Sequence, residues 1–210
     1  MIDKRLQYIS SGSTAKEQYA NILGALALGI EWIQLRFKNA CVSDLLALAA
    51  EVKKLKERYD FTLIVNDHVK VAYELDLDGV HLGLNDTPVR AARALIGNHK
   101  IIGGTANTLE QVMQRGLEKC DYIGLGPLRF TKTKENLSPI IGFSGYAEIL
   151  ESIQHELPPI FAIGSVMTQD IAPLRRLGVF GIAMSKDIES QFHERNYINT
   201  VNKFLYAKYA

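Results

Sequence analysis

The sequence predicts a single (β/α)8 barrel, on three observations. Short β-rich runs alternate eight times with amphipathic segments at a spacing of roughly 26 residues, the pattern of strand–helix units in a parallel sheet. The intervening segments carry apolar residues three and four apart, as helices with one buried face do. The first βα turn, Ser10-Ser11-Gly12-Ser13, lacks the glycine pattern that an open doubly wound sheet would place there. With 210 residues, 47% apolar and 22% charged, the chain fits one soluble domain, 1–210, with no linker or low-complexity tract.

The strands are expected at Leu6–Ser10, Trp32–Phe37, Thr62–Asn66, Gly79–Gly83, Lys100–Thr105, Tyr122–Pro127, Pro159–Gly164 and Gly181–Lys186. In the second, alternation sends Gln34, Arg36 and Lys38 to one face and Ile33, Leu35 and Phe37 to the other. The apolar set must meet the helices, which places the polar set inside the barrel at rising height. The clearest helix follows at Val42–Tyr59, with Leu45, Leu46, Ala49 and Val52 on its apolar face. Strand four turns His81 inward near Gly83. Strand six sends Ile123 and Leu125 outward and Tyr122, Gly124 and Gly126 inward; strand seven is expected to send Phe161 and Ile163 outward and Ala162 and Gly164 inward. Those interior glycines either relieve crowding between layers or leave a slot for a flat heterocycle. Between strand six and the next helix runs a long excursion, Leu128–Ile141, with Lys132, Lys134 and Glu135 in it, and loops of that length are more often functional than idle.

Bulk charge excludes some classes of function. A formal charge of +1 supplies no general field for nucleic acid or an anionic membrane, so any anion site must be local. Cys41 and Cys120 are too few for a disulfide framework, and Met1 to Gly12 contains no apolar signal core. The expectation is a cytoplasmic protein with small-molecule partners and neither nucleic acid nor membrane; a homodimer is left open.

Active sites of such barrels sit at the C-terminal ends of the strands. Arg36 and Lys38 in the interior require an anion, because two buried cations without partners would cost several kcal/mol. Internal ion pairs with Asp67 and Asp86 are one answer. The other gives those carboxylates to a metal: they hang from adjacent strands about 4.8 Å apart, and Mg²⁺ characteristically takes one or two carboxylates with water and phosphate oxygens completing its shell. Asn66 can then bond to a phosphate oxygen, although Asn-Asp after a strand also reads as a turn or helix cap. Thr131-Lys132-Thr133-Lys134 adds hydroxyls and ammonium groups, or is a solvated loop. Gly164 and Ser185 follow strands seven and eight, where barrels often hold a phosphate on backbone N–H groups. His81 reads as a satisfied core imidazole or a base. No zinc, haem or serine-hydrolase pattern appears.

Taken in order, Trp32-Ile33-Gln34-Leu35-Arg36-Phe37-Lys38, Ile64-Val65-Asn66-Asp67, Asp78-Gly79-Val80-His81-Leu82-Gly83 with Asp86, Asp121-Tyr122-Ile123-Gly124-Leu125-Gly126-Pro127, Thr131-Lys132-Thr133-Lys134 and Ala162-Ile163-Gly164 resemble the thiamine-phosphate synthase family over essentially the whole chain. The resemblance implies a transferase that joins 4-amino-2-methyl-5-hydroxymethylpyrimidine diphosphate to 4-methyl-5-(2-hydroxyethyl)thiazole phosphate, by way of a stabilised carbocation, releasing pyrophosphate. By position it implies that Arg36, Lys38, Asn66 and Lys134 hold the diphosphate, and that Asp67 and Asp86 hold Mg²⁺. Thr105 stands where the family has Ser, Gln34 contacts the pyrimidine, and Thr131, Thr133, Gly164 and Ser185 serve the thiazole phosphate. Four positions depart from the pattern: Leu84 for Gln, Asn107 for His, Arg129-Phe130 for an aromatic-Pro pair, and Ser165 for the second Gly of a pair. A thiazole tautomerase of the same superfamily and a non-catalytic phosphate-binding barrel are the alternatives.

Overall fold

The computed structural model describes residues 2–130 and 139–209. Its strands are parallel and close into a barrel in chain order: β1 (Leu6–Ile9), β2 (Trp32–Leu35), β3 (Thr62–Asn66), β4 (Gly79–Leu82), β5 (Ile101–Ala106), β6 (Tyr122–Leu125), β7 (Ile160–Ala162) and β8 (Gly181–Met184). Between and after them lie α1 (Ala15–Ala27), α2 (Val42–Lys54), α3 (Val69–Glu74), α4 (Val89–Ile96), α5 (Leu109–Leu117), α6 (Gly142–Glu151), α7 (Ile171–Arg176), α8 (Lys186–Glu189) and α9 (Tyr197–Leu205). Among the described residues no helix is long and apolar enough to cross a membrane.

Local chemistry fixes where helices start. Thr14 accepts a hydrogen bond from Glu17 N at 3.1 Å, and Thr108 accepts one from Gln111 N at 3.3 Å, so α1 and α5 each begin on a hydroxyl that satisfies an otherwise orphaned N–H. Along α2 the buried stripe is Leu45, Leu48, Ala49 and Val52. Leu46, expected on that face, is only partly buried, and a short 3₁₀ turn at Leu55–Glu57 ends the helix before Tyr59.

Two apolar layers make the core. The outer one, between sheet and helices, takes Ile33, Leu35, Leu63, Val65, Val80, Leu82, Ile123, Leu125 and Ala162 from the strands. The inner one fills the lower half of the barrel with Trp32, Ile64, Tyr122 and Phe161. Edge-to-face contacts join its rings: Trp32 lies 5.0 Å from Tyr122 and 5.2 Å from Phe161, centroid to centroid. Glycine makes room for them. A Cβ on Gly103 would lie 2.2 Å from the Tyr122 ring, and one on Gly181 would lie 2.4 Å from Phe161. At this level glycine on β5 and β8 makes room for the protein's own rings.

That packing reverses the expected phase of β7. Phe161 pairs in register with Gly124 and with Gly181, so it points inward with them, and Ile163 follows it, while Ala162 faces the helices. The strand is short and apolar throughout, so its own alternation cannot choose a face; the space left by Gly181, beside which the Phe161 ring lies, does.

Candidate functional site

The interior above the aromatic layer is polar. Gln34, 2% exposed, donates from Nε2 to Gln7 Oε1 at 3.1 Å, and Gln7 Nε2 donates to the Tyr122 hydroxyl at 3.1 Å. The same hydroxyl lies 2.8 Å from His81 Nδ1, and His81 Nε2 lies 2.9 Å from Thr105 Oγ1. Gln34, His81 and Thr105 therefore face inward as expected and share one network. His81 is engaged at both ring nitrogens. Burial pushes the Tyr122 hydroxyl well above its ordinary range, so it stays protonated and able to donate.

Past β2, Arg36 is half-buried at the mouth. Its N–H donates to Ser10 Oγ at 2.9 Å and its carbonyl accepts from Gln18 Nε2 at 3.0 Å, while Ser10 Oγ donates to Gln18 Oε1 at 2.6 Å. These bonds seat its backbone on β1 and α1. Burial lowers the guanidinium pKa, and the charge of Asp67 acts in the opposite direction. Lys38 is a correction to the expected placement. Because β2 ends at Leu35, the alternation that would carry Lys38 into the barrel stops short, and Lys38 is exposed on the following turn, next to Asn39 at φ 60°.

Asn66 ends β3 in register with His81. Asp67 follows at φ 64°, its N–H donating to His81 O at 2.8 Å. The left-handed turn, one that Asp and Asn tolerate better than most residues, swings the chain off the strand end. The residue at the N-terminus of α3 is His68, so Asp67 is not the helix cap. Asp86, partly buried beyond β4, accepts from Gly83 N at 2.6 Å, and a Cβ on Gly83 would lie 2.7 Å from that carboxylate oxygen. Among the described residues no three His, Cys, Asp or Glu side chains form a metal-holding group. Two carboxylates on neighbouring strand ends fit a hard cation that takes its remaining oxygens from water and ligand.

Arg115 supports this side from below. Its Nε donates to Thr105 O at 3.0 Å and its Nη2 to Gly83 O at 2.9 Å, pinning the ends of β4 and β5 together. Sequence reasoning missed it, as it missed Gln7 and the Tyr122 hydroxyl. A signal existed: Arg115 stands three residues after Val112 on the buried face of α5, where a cation needs partners.

Across the mouth, Gly164 (φ 89°) and Ser165 (φ 51°) form a left-handed pair after β7. A Cβ on Gly164 would come within 2.5 Å of Pro127, so this position requires glycine twice over. The hydrogen bonds of the described residues give no acceptor to the N–H groups of Gly164, Ser165 or Val166, whereas Met167 N donates to Asp170. Three successive donors with no acceptor among the described residues suit a phosphate. Ser185, partly buried, stands one residue past β8 at the start of α8. Ser165, which stands where the family pattern has a second glycine, is exposed, and its hydroxyl donates away to Phe130 O at 2.9 Å. Thr131, Thr133 and Lys134 lie outside the described residues.

Residues 6–188 match the family described as thiamine monophosphate synthase. The chain is 47% identical over 205 residues to thiamine-phosphate synthase of Flavobacterium johnsoniae, covering 97% of each protein. It is 45% identical over 203 residues to thiamine-phosphate synthase of Flavobacterium psychrophilum, covering 96% of this chain and 98% of that one. Among solved structures, thiamine phosphate pyrophosphorylase from Pyrococcus furiosus superimposes with a TM-score of 0.79 at 28% identity, over 96% of both chains.

Proposed function

The chain belongs to the thiamine monophosphate synthase family and is an enzyme of that transferase class, and from this premise we propose its substrates and the roles of its residues. The reaction joins 4-amino-2-methyl-5-hydroxymethylpyrimidine diphosphate to 4-methyl-5-(2-hydroxyethyl)thiazole phosphate. The carbon–oxygen bond of the diphosphate breaks first, its electron pair leaving on the phosphate oxygen. The thiazole nitrogen then gives its lone pair to the pyrimidine-stabilised cation, forming thiamine phosphate.

The observation that carries this reading is the placement of Arg36 just past β2, Asn66 at the end of β3 with Asp67 after it, and Thr105 on β5, at the barrel end where the N–H groups of Gly164, Ser165 and Val166 have no acceptor among the described residues. Arg36, Asn66 and Lys134 bind the diphosphate; Gln34 and Thr105 orient the pyrimidine; Gly164, Ser185, Thr131 and Thr133 take the phosphate of the thiazole. Asp67 and Asp86 would hold Mg²⁺, whose charge offsets that developing on the leaving diphosphate. Arg36 does the same directly, from a half-buried position where a charge is less screened than in water. No side chain has to remove a proton for the bond to break.

Tautomerisation fits this site poorly. Asn107 is buried with its side-chain amide donating to Gly126 O, and an amide cannot exchange protons as an imidazole does.

The test is to incubate the protein with both substrates, with Mg²⁺ or with EDTA, and to titrate Mg²⁺ with and without the diphosphate. Thiamine phosphate should form only with both substrates and the cation, and Mg²⁺ affinity should rise sharply with diphosphate. Full turnover in chelator, or efficient isomerisation of a thiazole carboxylate phosphate without coupling, would refute the proposal.

A further inference from the structure

Two of the departures from the family pattern, Arg129 and Ser165, meet in space. The Arg129 guanidinium forms a fork on Asp170, with Nη1–Oδ2 at 2.5 Å and Nη2–Oδ1 at 2.7 Å. Asp170 is buried, its side chain 4% exposed, and the same carboxylate accepts from Met167 N at 2.8 Å. From that anchor Nη1 also donates to Ser165 O at 3.2 Å, and Arg129 N donates to Gly164 O at 3.2 Å. The Phe143 ring lies 5.7 Å from the guanidinium carbon on a third side. Thus the loop leaving β6 grips the turn leaving β7 through both of its carbonyls, and through the Ser165 hydroxyl on Phe130 O.

The geometry gives that grip a purpose. Two consecutive left-handed residues, one of them carrying a side chain, do not persist unless their surroundings over-determine them. With the carbonyls of Gly164 and Ser165 occupied by Arg129, the N–H groups of Gly164, Ser165 and Val166 are left as a fixed set of donors.

We propose that Arg129 is a positioning residue for the phosphate monoester: anchored on Asp170, it holds the Gly164–Ser165 turn in the conformation that presents its N–H groups. This rests on the reading that the turn receives the phosphate of the thiazole substrate. Arg129 itself does not touch the reacting atoms. Lysine cannot replace it fully, since an ammonium cannot fork on the carboxylate and reach Ser165 O together.

The experiment compares wild type, Arg129→Ala and Arg129→Lys by ¹⁵N heteronuclear NOE at residues 164–166, by titration with inorganic phosphate, and by steady-state kinetics in each substrate. In Arg129→Ala the NOE values of the turn should fall and phosphate binding should weaken. KM for the thiazole phosphate should rise about tenfold, with KM for the pyrimidine diphosphate and kcat at saturation within about twofold of wild type, and Arg129→Lys should lie between. Unchanged NOE values, or an equal rise in both KM values, would overturn the proposal. A loosened turn with unaltered phosphate binding and unaltered KM would overturn it too, by showing that the turn is not the phosphate site. If the protein couples no substrates at all, the NOE and inorganic phosphate arms still decide the role of Arg129 apart from the reaction. Should Arg129→Ala fail to fold because Asp170 is left charged and buried, Arg129→Ala/Asp170→Asn removes that charge, and the same readouts apply.

Discussion

Asp67 carries two demands on one side chain: a left-handed backbone, and the carboxylate that the proposed cation site needs. Asparagine meets the first and not the second. Asp67→Asn should therefore keep the melting temperature within about 2 °C of wild type while losing cation-dependent turnover, whereas Asp67→Val should also lose about 1–2 kcal/mol of stability from a β-branched residue at positive φ. Thermal melts beside activity assays separate the two, and an Asp67→Asn enzyme that still responds to Mg²⁺ would remove Asp67 from the cation site. Arg36→Ala should slow bond breaking by about 10²–10³-fold with the fold intact, read by single-turnover kinetics and urea melts. If that variant unfolds while each folded molecule turns over normally, Arg36 is a structural partner of Asp67 and no more. At this scale the sequence made the inward placement of Gln34 and His81 legible, because a polar side chain and its strand position agreed. It was silent on Arg115 and Asp170, whose importance lies in backbone carbonyls and a guanidinium brought near by tertiary structure.

At the scale of the element, β7 teaches the most. Its order in the barrel was readable from the repeat, but its phase was not, since Ile160, Phe161 and Ala162 are all apolar and either face would bury them. The decision comes from Gly181 on the next strand, which leaves room for the Phe161 ring, as Gly103 leaves room for Tyr122 beside it. Gly103→Ala should accordingly destabilise by about 1–3 kcal/mol or more, because the new methyl meets the Tyr122 ring, and Phe161→Ala by about 3–5 kcal/mol through the cavity it opens. Urea denaturation measures both; a Phe161→Ala cost below about 1 kcal/mol would mean the ring does not fill the barrel. Strand ends were the other illegible feature. Nothing in the run Trp32–Lys38 marks Leu35 as the last paired residue, yet the loss of ladder bonds there is what puts Lys38 in solvent.

Over the whole molecule, burial of neutral acids sets the response to alkali. The Cys120 thiol, shut beneath β5 and β6, has its pKa pushed by burial from 9.0 to about 12, and burial likewise raises the Tyr122 and Tyr146 hydroxyls above their ordinary range. These folded-state values lie above the unfolded ones. The stabilisation is thus fully present below about pH 9 and is lost as pH rises from there towards the folded pKa values. Urea midpoints should hold from pH 7 to 9, then fall progressively to pH 11, and Cys120→Ala should delay the onset. A flat midpoint through pH 10.5 would contradict this. Exposed Cys41 should react with iodoacetamide in the folded protein, and Cys120 only in denaturant.

The aromatic floor made by Trp32, Tyr122 and Phe161, each at most 1% exposed, turns the barrel into a cul-de-sac. Traffic through it is two-way by necessity: both reactants arrive, and both products depart, by a single doorway at the strand ends. Under the proposed reaction the released pyrophosphate stands in the path of the next diphosphate, and the coupled product stands in the path of both. On that reading a shut floor, far from the bond being broken, obliges the products to clear the doorway before the next reactants take their places.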